Sequence, residues 1–137
     1  MNAPPEILLV ARALLGRARA DLLAVRALAE GVEGVEEVAG FHAQQAAEKA
    51  LKAAMLFAGE EPPRTHDLLF LADFVASRGM NAPISADEAA SLYPYAVEFR
   101  YEEAPDGGLP VSEMLAIAER TVTWAETLSL GGGSPST

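Results

Sequence analysis

Apolar residues recur along this chain at steps of three and four, and strict alternation is absent outside short ambiguous runs. That period is the mark of amphipathic helices. Residues 6 to about 30 read as a first helix, with Ile7, Leu8, Val10, Ala11, Leu14, Leu15, Ala18, Leu22, Val25, Leu28 and Ala29 in the repeat. Pro4 and Pro5 suit its entrance, where a missing N–H costs nothing. Gly31 to Gly34 makes a turn. A second helix follows from about Val35 to Ala58, and Gly59 ends it. Thr65 is expected to cap a third helix opened by His66 and Asp67, carried by Leu68, Leu69, Leu71, Ala72, Phe74 and Val75, and stopped at Gly79. Ser85, with Glu88 three residues on, forms a capping box for a fourth. Its apolar positions are Ala89, Leu92, Ala96, Val97 and Phe99, and Pro94 should kink or break it. After a Pro105-Asp106-Gly107-Gly108 turn, a last helix opens at Pro110 or Ser112 and runs to about Leu128. The expected fold is all-α: an up-and-down antiparallel helical bundle of four long helices plus a shorter or broken fifth. Residues 1–130 form one domain in this reading, and the Gly/Ser-rich 131–137 a flexible tail.

The second helix is the organising stretch. At 100° per residue, Ala43, Ala46, Ala47, Ala50, Ala53 and Ala54 fall on one face. A surface of methyl groups lets a neighbouring helix approach to the short end of the roughly 8–10 Å range. Gly40, which costs about 1 kcal/mol against Ala inside a helix, should mark a close crossing. His42, Gln45, Lys49 and Lys52 fall on an adjoining arc, with Phe41, Glu48, Leu51 and Met55 following round. One reading makes this arc a solvated face with Gln44–Glu48, Gln45–Lys49 and Glu48–Lys52 pairs. The other makes it a small anion-binding surface, because a His, two Gln and two Lys beside an aromatic exceed what solubility requires. On the first helix Arg12, Arg19 and Arg26 share a heptad position, as a solvated line or as a strip that meets phosphate or an acidic partner.

Composition narrows the partners. The 137 residues carry a formal charge of −10 with no cysteine, and the mean hydropathy is +0.14. A long nucleic-acid duplex needs a basic surface, so a broad footprint is excluded and a local pocket remains. Disulfides, thiolate metal sites and a Cys nucleophile are ruled out. No apolar run reaches the roughly 20 residues of a membrane span, and no signal peptide is seen, so the expected location is the cytoplasm. Two lone histidines are weak metal ligands, and no Walker loop, GxGxxG or nucleophile elbow appears, so no metal or cofactor is expected.

Phe41-His42-x-Gln44-Gln45-Ala46-x-Glu48-Lys49-x-Leu51-Lys52-Ala53 resembles the signature helix of the HEPN domains, a prokaryotic group often encoded beside a minimal nucleotidyltransferase. Thr65-His66-Asp67-Leu68-x-x-Leu71 and Tyr95-x-x-x-x-Arg100-Tyr101 follow in the family's order, and the resemblance covers about residues 5 to 128. The family includes ribonucleases, nucleotide binders and inactive interaction modules. The resemblance implies a nucleotide-binding or interaction module, a homodimer acting with a separate minimal nucleotidyltransferase in a toxin–antitoxin-like pair. His42, Gln45, Lys49, Lys52, His66, Tyr95 and Arg100 would then contact nucleotide or phosphate. The alternative is a metal-independent endoribonuclease with Arg100 and Tyr101 in its catalytic site. Many HEPN ribonucleases place a His four to six residues after such an Arg. Here no His follows Arg100, since His42 and His66 are the only two, so the alternative needs a non-standard site.

Overall fold

The computed structural model describes residues 3–31, 33–96 and 108–131. Among these residues the chain forms five α-helices and no strand: α1 (Pro5–Leu28), α2 (Glu36–Phe57), α3 (Leu68–Ser77), α4 (Ala86–Leu92) and α5 (Val111–Gly131). The expected all-α bundle is therefore present. Three helices exceed twenty residues, while α3 has ten and α4 seven. The tail after Gly131 and the Pro-Asp-Gly turn lie outside the described residues, as do Val97 and Phe99.

Helix α2 is the central element. It touches α1, α3, α4, α5 and the 3₁₀ turn Tyr93–Tyr95. Thirteen of its 22 residues are buried, so little of its circumference reaches water. Ala43, Ala46, Ala47, Ala50, Ala53 and Ala54 are all fully buried, and Ala11 and Ala18 of α1 and Ala118 and Ala125 of α5 join them in the core. A single methyl contributes under about 1 kcal/mol on burial. The seam matters more through the close approach it permits, which lets Leu15, Leu22, Leu51, Met55, Met114 and Val122 interdigitate in the same core.

Helices α1 and α5 run antiparallel. Arg19 pairs with Glu126, and Arg26 with Glu119 two turns back along α5, at 2.6 Å. Two of the three aligned arginines thus meet carboxylates of their own chain. Arg12 has no ion partner among the described residues. Val10, placed in the buried register by its spacing, is 54% exposed.

Boundaries follow local chemistry, with one shift. Asp67, not Thr65, caps α3: its Oδ1 accepts from the N–H groups of Leu69 and Phe70 at 3.1 and 3.2 Å. Thr65 Oγ1 accepts from the Asp67 N–H instead. His66 therefore lies before the helix rather than in its first turn, and its carbonyl is free to accept a bond from α2. Pro94 does stop α4, which ends at Leu92 and passes into the 3₁₀ turn. Gly59 (φ 81°) terminates α2 in a conformation that residues with a Cβ avoid.

The capping box of α4 is complete. Glu88 N–H donates to Ser85 Oγ at 3.0 Å, and Ser85 N–H to Glu88 Oε1 at 2.9 Å. Arg120 of α5 donates to Glu88 Oε2 at 2.6 Å. Burial works against the Glu88 charge, but the Arg120 guanidinium and the Ser85 donors outweigh it and hold the carboxyl below its ordinary range. A depressed folded pKa gives stability that is present above the unfolded value of 4.5 and is lost as pH falls below it. Ser85→Ala is expected to cost about 1 kcal/mol. A Glu88→Gln penalty should be seen at pH 7 and shrink progressively as pH falls below 4.5, as a series of thermal melts across that range would read.

Candidate functional site

Two buried carboxylates organise the polar arc of α2. Asp21, 9% exposed, projects from α1 between core residues Ala18 and Leu22. Its Oδ1 meets His42 Nδ1 at 2.9 Å and its Oδ2 accepts from Lys49 Nζ at 2.6 Å. His42 and Lys49 are seven residues apart, two turns of one helix, so one carboxylate spans both. Glu48, 4% exposed, does the same for the other half of the arc. Its Oε2 accepts from Lys52 Nζ at 3.0 Å and faces His66 Nδ1 at 2.9 Å. Its Oε1 accepts from Gln44 Nε2 at 3.2 Å. Gln44, fully buried, also donates to the His66 carbonyl at 3.1 Å, and Gln45 Nε2 donates to Gln44 Oε1 at 3.0 Å.

The result is one ribbon. In angular order round α2 it runs His42, Lys49, Gln45, Lys52, Glu48, Gln44, with His66 joined from the loop before α3. It is not a solvated face: the Lys49 and Lys52 side chains are 25% and 18% exposed. Of the expected helical pairs, Gln44–Glu48 and Glu48–Lys52 form, while Gln45 turns to Gln44.

Both histidines present Nδ1 to a carboxylate. With the proton on Nδ1, the neutral ring carries its lone pair on Nε2. Nε2 of each has no partner among the described residues. The His66 side chain is 77% exposed, so its Nε2 is accessible to a ligand. Two ammonium groups balance two carboxylates, leaving the ribbon close to neutral within a chain of charge −10. It is a less repulsive place for a phosphate than an acid-lined cleft. Two clefts elsewhere are less suited. One of about 410 Å³ between α4 and α5 is lined by Asp87, Glu88 and Glu113 around Arg120. A neighbouring one of about 380 Å³ adds Glu119 and Trp124.

The structure thus brings His42, Gln45, Lys49, Lys52 and His66 together. Tyr95 places its ring over Gly40, one turn before Gln44 on α2. Arg100 and Tyr101 lie outside the described residues. Sequence reasoning missed Asp21 as the anchor of His42 and Lys49. The signal was present: Asp21 occupies the inward register of Ala11, Leu15, Ala18, Leu22 and Val25. A charge in that register is kept by partners on the facing helix.

No curated protein and no solved structure matches the chain. The HEPN domain family matches residues 11–128. The matched span holds Asp21, Glu48 and every member of the ribbon they anchor, and it includes Tyr95-x-x-x-x-Arg100-Tyr101. This chain belongs to the HEPN domain family.

Proposed function

We propose that the protein is a nucleotide- or RNA-binding interaction module, active as a homodimer with a separate minimal nucleotidyltransferase in a toxin–antitoxin-like pair. The observation that carries the nucleotide reading is the ribbon. Two lysines, two imidazoles and a glutamine are oriented on one surface by Asp21 and Glu48. A phosphate would take the outer N–H bonds of Lys49 and Lys52, with Gln45 and the His66 ring beside it. The likeness to HEPN domains encoded beside nucleotidyltransferases supports the partner.

Calorimetry with ATP, GTP and a short single-stranded RNA tests the site. His66→Ala is the informative variant, because an exposed pair contributes under about 1 kcal/mol to stability. We expect micromolar binding by the wild type and a loss of about tenfold in the variant, the worth of one charge-assisted hydrogen bond. Absence of binding by the wild type overturns the reading. Binding that is unchanged in both His66→Ala and Lys52→Gln moves the ligand off the ribbon.

One observation favours a second reading, a metal-independent endoribonuclease. His66 Nδ1 on buried Glu48 with Nε2 outward is the posture of a general base. It would supply the imidazole that the stretch after Arg100 lacks. Any RNA cleavage should then fall in both His66→Ala and Arg100→Ala, and cleavage unchanged by Arg100→Ala ends this reading.

A further inference from the structure

The outward face of α1 has a sequence repeat that nothing in the bundle uses. Leu9, Ala13, Gly16, Ala20, Leu23 and Ala27 are all exposed, and their spacing is 4-3-4-3-4. Leu9 is 65% and Leu23 60% exposed, among the most exposed large apolar side chains in the described chain. The inward register, Ala11, Leu15, Ala18, Leu22 and Val25, is separately satisfied against α2 and α5. The outward stripe runs about 27 Å along the helix. A seven-residue apolar repeat is the pattern of a seam between two helices.

We propose that this face is the homodimer interface, with α1 pairing antiparallel to α1 of a second copy about a twofold axis near residue 18. The inference rests on the homodimer reading above and names the surface that the reading leaves open. The occupant is argued from self-complementarity. In an antiparallel pair centred there, Leu9 faces the partner's Ala27, Leu23 faces the partner's Ala13, and Gly16 faces the partner's Ala20. Each leucine meets an alanine, and the smallest pair sits at the axis, where two backbones come closest. An isologous twofold contact requires such reciprocity. A parallel pair would instead set Leu against Leu and Gly against Gly, leaving a gap at the centre. A Cβ added at Gly16 has nothing within 4 Å among the described residues, so no described element fills the space there.

In the antiparallel order Arg12 comes opposite the partner's Arg26, which is bound to the partner's Glu119. Arg12, without an ion partner among the described residues, would come near that carboxylate, and each Arg19–Glu126 pair would meet its copy at the axis. Three like-charge encounters come with this order: Arg12 with the partner's Arg26 and Arg19 with its copy, each beside the carboxylates of Glu119 and Glu126, and Arg17 with its copy on an exposed flank where solvent and salt screen it.

Light scattering on the eluted protein is the first measurement. The wild type should have twice the 14.4 kDa chain mass. Leu23→Glu should weaken the dimer by on the order of a hundredfold, because an unpaired carboxylate would be buried at the seam. Its helicity should not change, since residue 23 is exposed in the protomer. Leu130→Glu, off this face, should leave the dimer intact. A monomeric wild type overturns the dimer reading and this surface together. A dimer that survives Leu23→Glu overturns this surface alone. The chain has no cysteine, so orientation can be read by mixing tagged Gly16→Cys protomers with Ala20→Cys protomers and oxidising. Mixed 16–20 links are expected. Links of 16–16 and 20–20 only would overturn the antiparallel order.

Discussion

Gly40→Ala is expected to destabilise the protein by about 2–3 kcal/mol, although the same change at an open helical position gains about 1 kcal/mol. The cause is the ring of Tyr95. A Cβ built on Gly40 falls within 3.0 Å of Tyr95 Cγ, Cδ1 and Cε1. These include the root of the ring, so no rotation of a flexible side-chain end relieves the clash. Tyr95 is 4% exposed and follows Pro94, whose ring fixes the backbone leading into it. The 3₁₀ turn would have to lift from α2 as a unit. Denaturant titration reads the loss, and the double variant Gly40→Ala/Tyr95→Ala identifies its source. Once the ring is gone the added methyl is tolerated, so the double variant should be less destabilised than the sum of the singles, with a coupling of about 1–2 kcal/mol. A stabilising Gly40→Ala would mean that Tyr95 does not lie against α2.

Gly40 also shows what could be read before the structure. A glycine inside an otherwise strong helix announced a close approach, but the approaching group is an aromatic side chain rather than another long helix. The same division holds elsewhere. Ser85 with Glu88, Pro94 in α4 and the alanine face of α2 are governed by residues within a few positions, and each stands as its local chemistry dictates. The α3 cap expected of Thr65 falls instead to Asp67, expected within the helix opening, because its side chain reaches the N–H groups of Leu69 and Phe70. Contacts between distant residues were not legible. Nothing near Asp21 announces that it faces residues 42 and 49, since periodicity tells which face of a helix turns inward but not what meets it. The polar arc was legible as a group. Its degree of burial was not, because that depends on α1 and on the loop carrying His66. The placement expected for Arg100 and Tyr101 falls outside the described residues.

The largest loss is expected at Glu48. Its side chain is 5% exposed and its two oxygens serve Gln44, Lys52 and His66. In Glu48→Ala the Lys52 ammonium, 18% exposed, loses its counter-charge, and the fully buried Gln44 amide loses one of its two acceptors. Removing one partner of a buried pair costs about 3–5 kcal/mol, most of it the penalty of the stranded charge. Because Lys52 and especially His66 retain contact with water, the lower part of that range is the expected result. Glu48→Gln keeps the shape and one acceptor and should cost about 1–2 kcal/mol. The decisive comparison is Glu48→Ala against Glu48→Ala/Lys52→Met. If the stranded ammonium is the main cost, removing it as well should recover about half of the loss. If the double variant is instead the sum of the singles, the loss lies in packing and in the bonds to Gln44 and His66 rather than in a stranded Lys52. The outcome also bears on the ligand. Lys52 and His66 hold their places on the ribbon by bonding to Glu48, so Glu48→Gln, which still folds, should bind nucleotide or RNA less tightly than the wild type in the same calorimeter. Unchanged affinity in Glu48→Gln would show that the ribbon's order does not matter to binding, and the anion would then have to be sought on another face of the bundle.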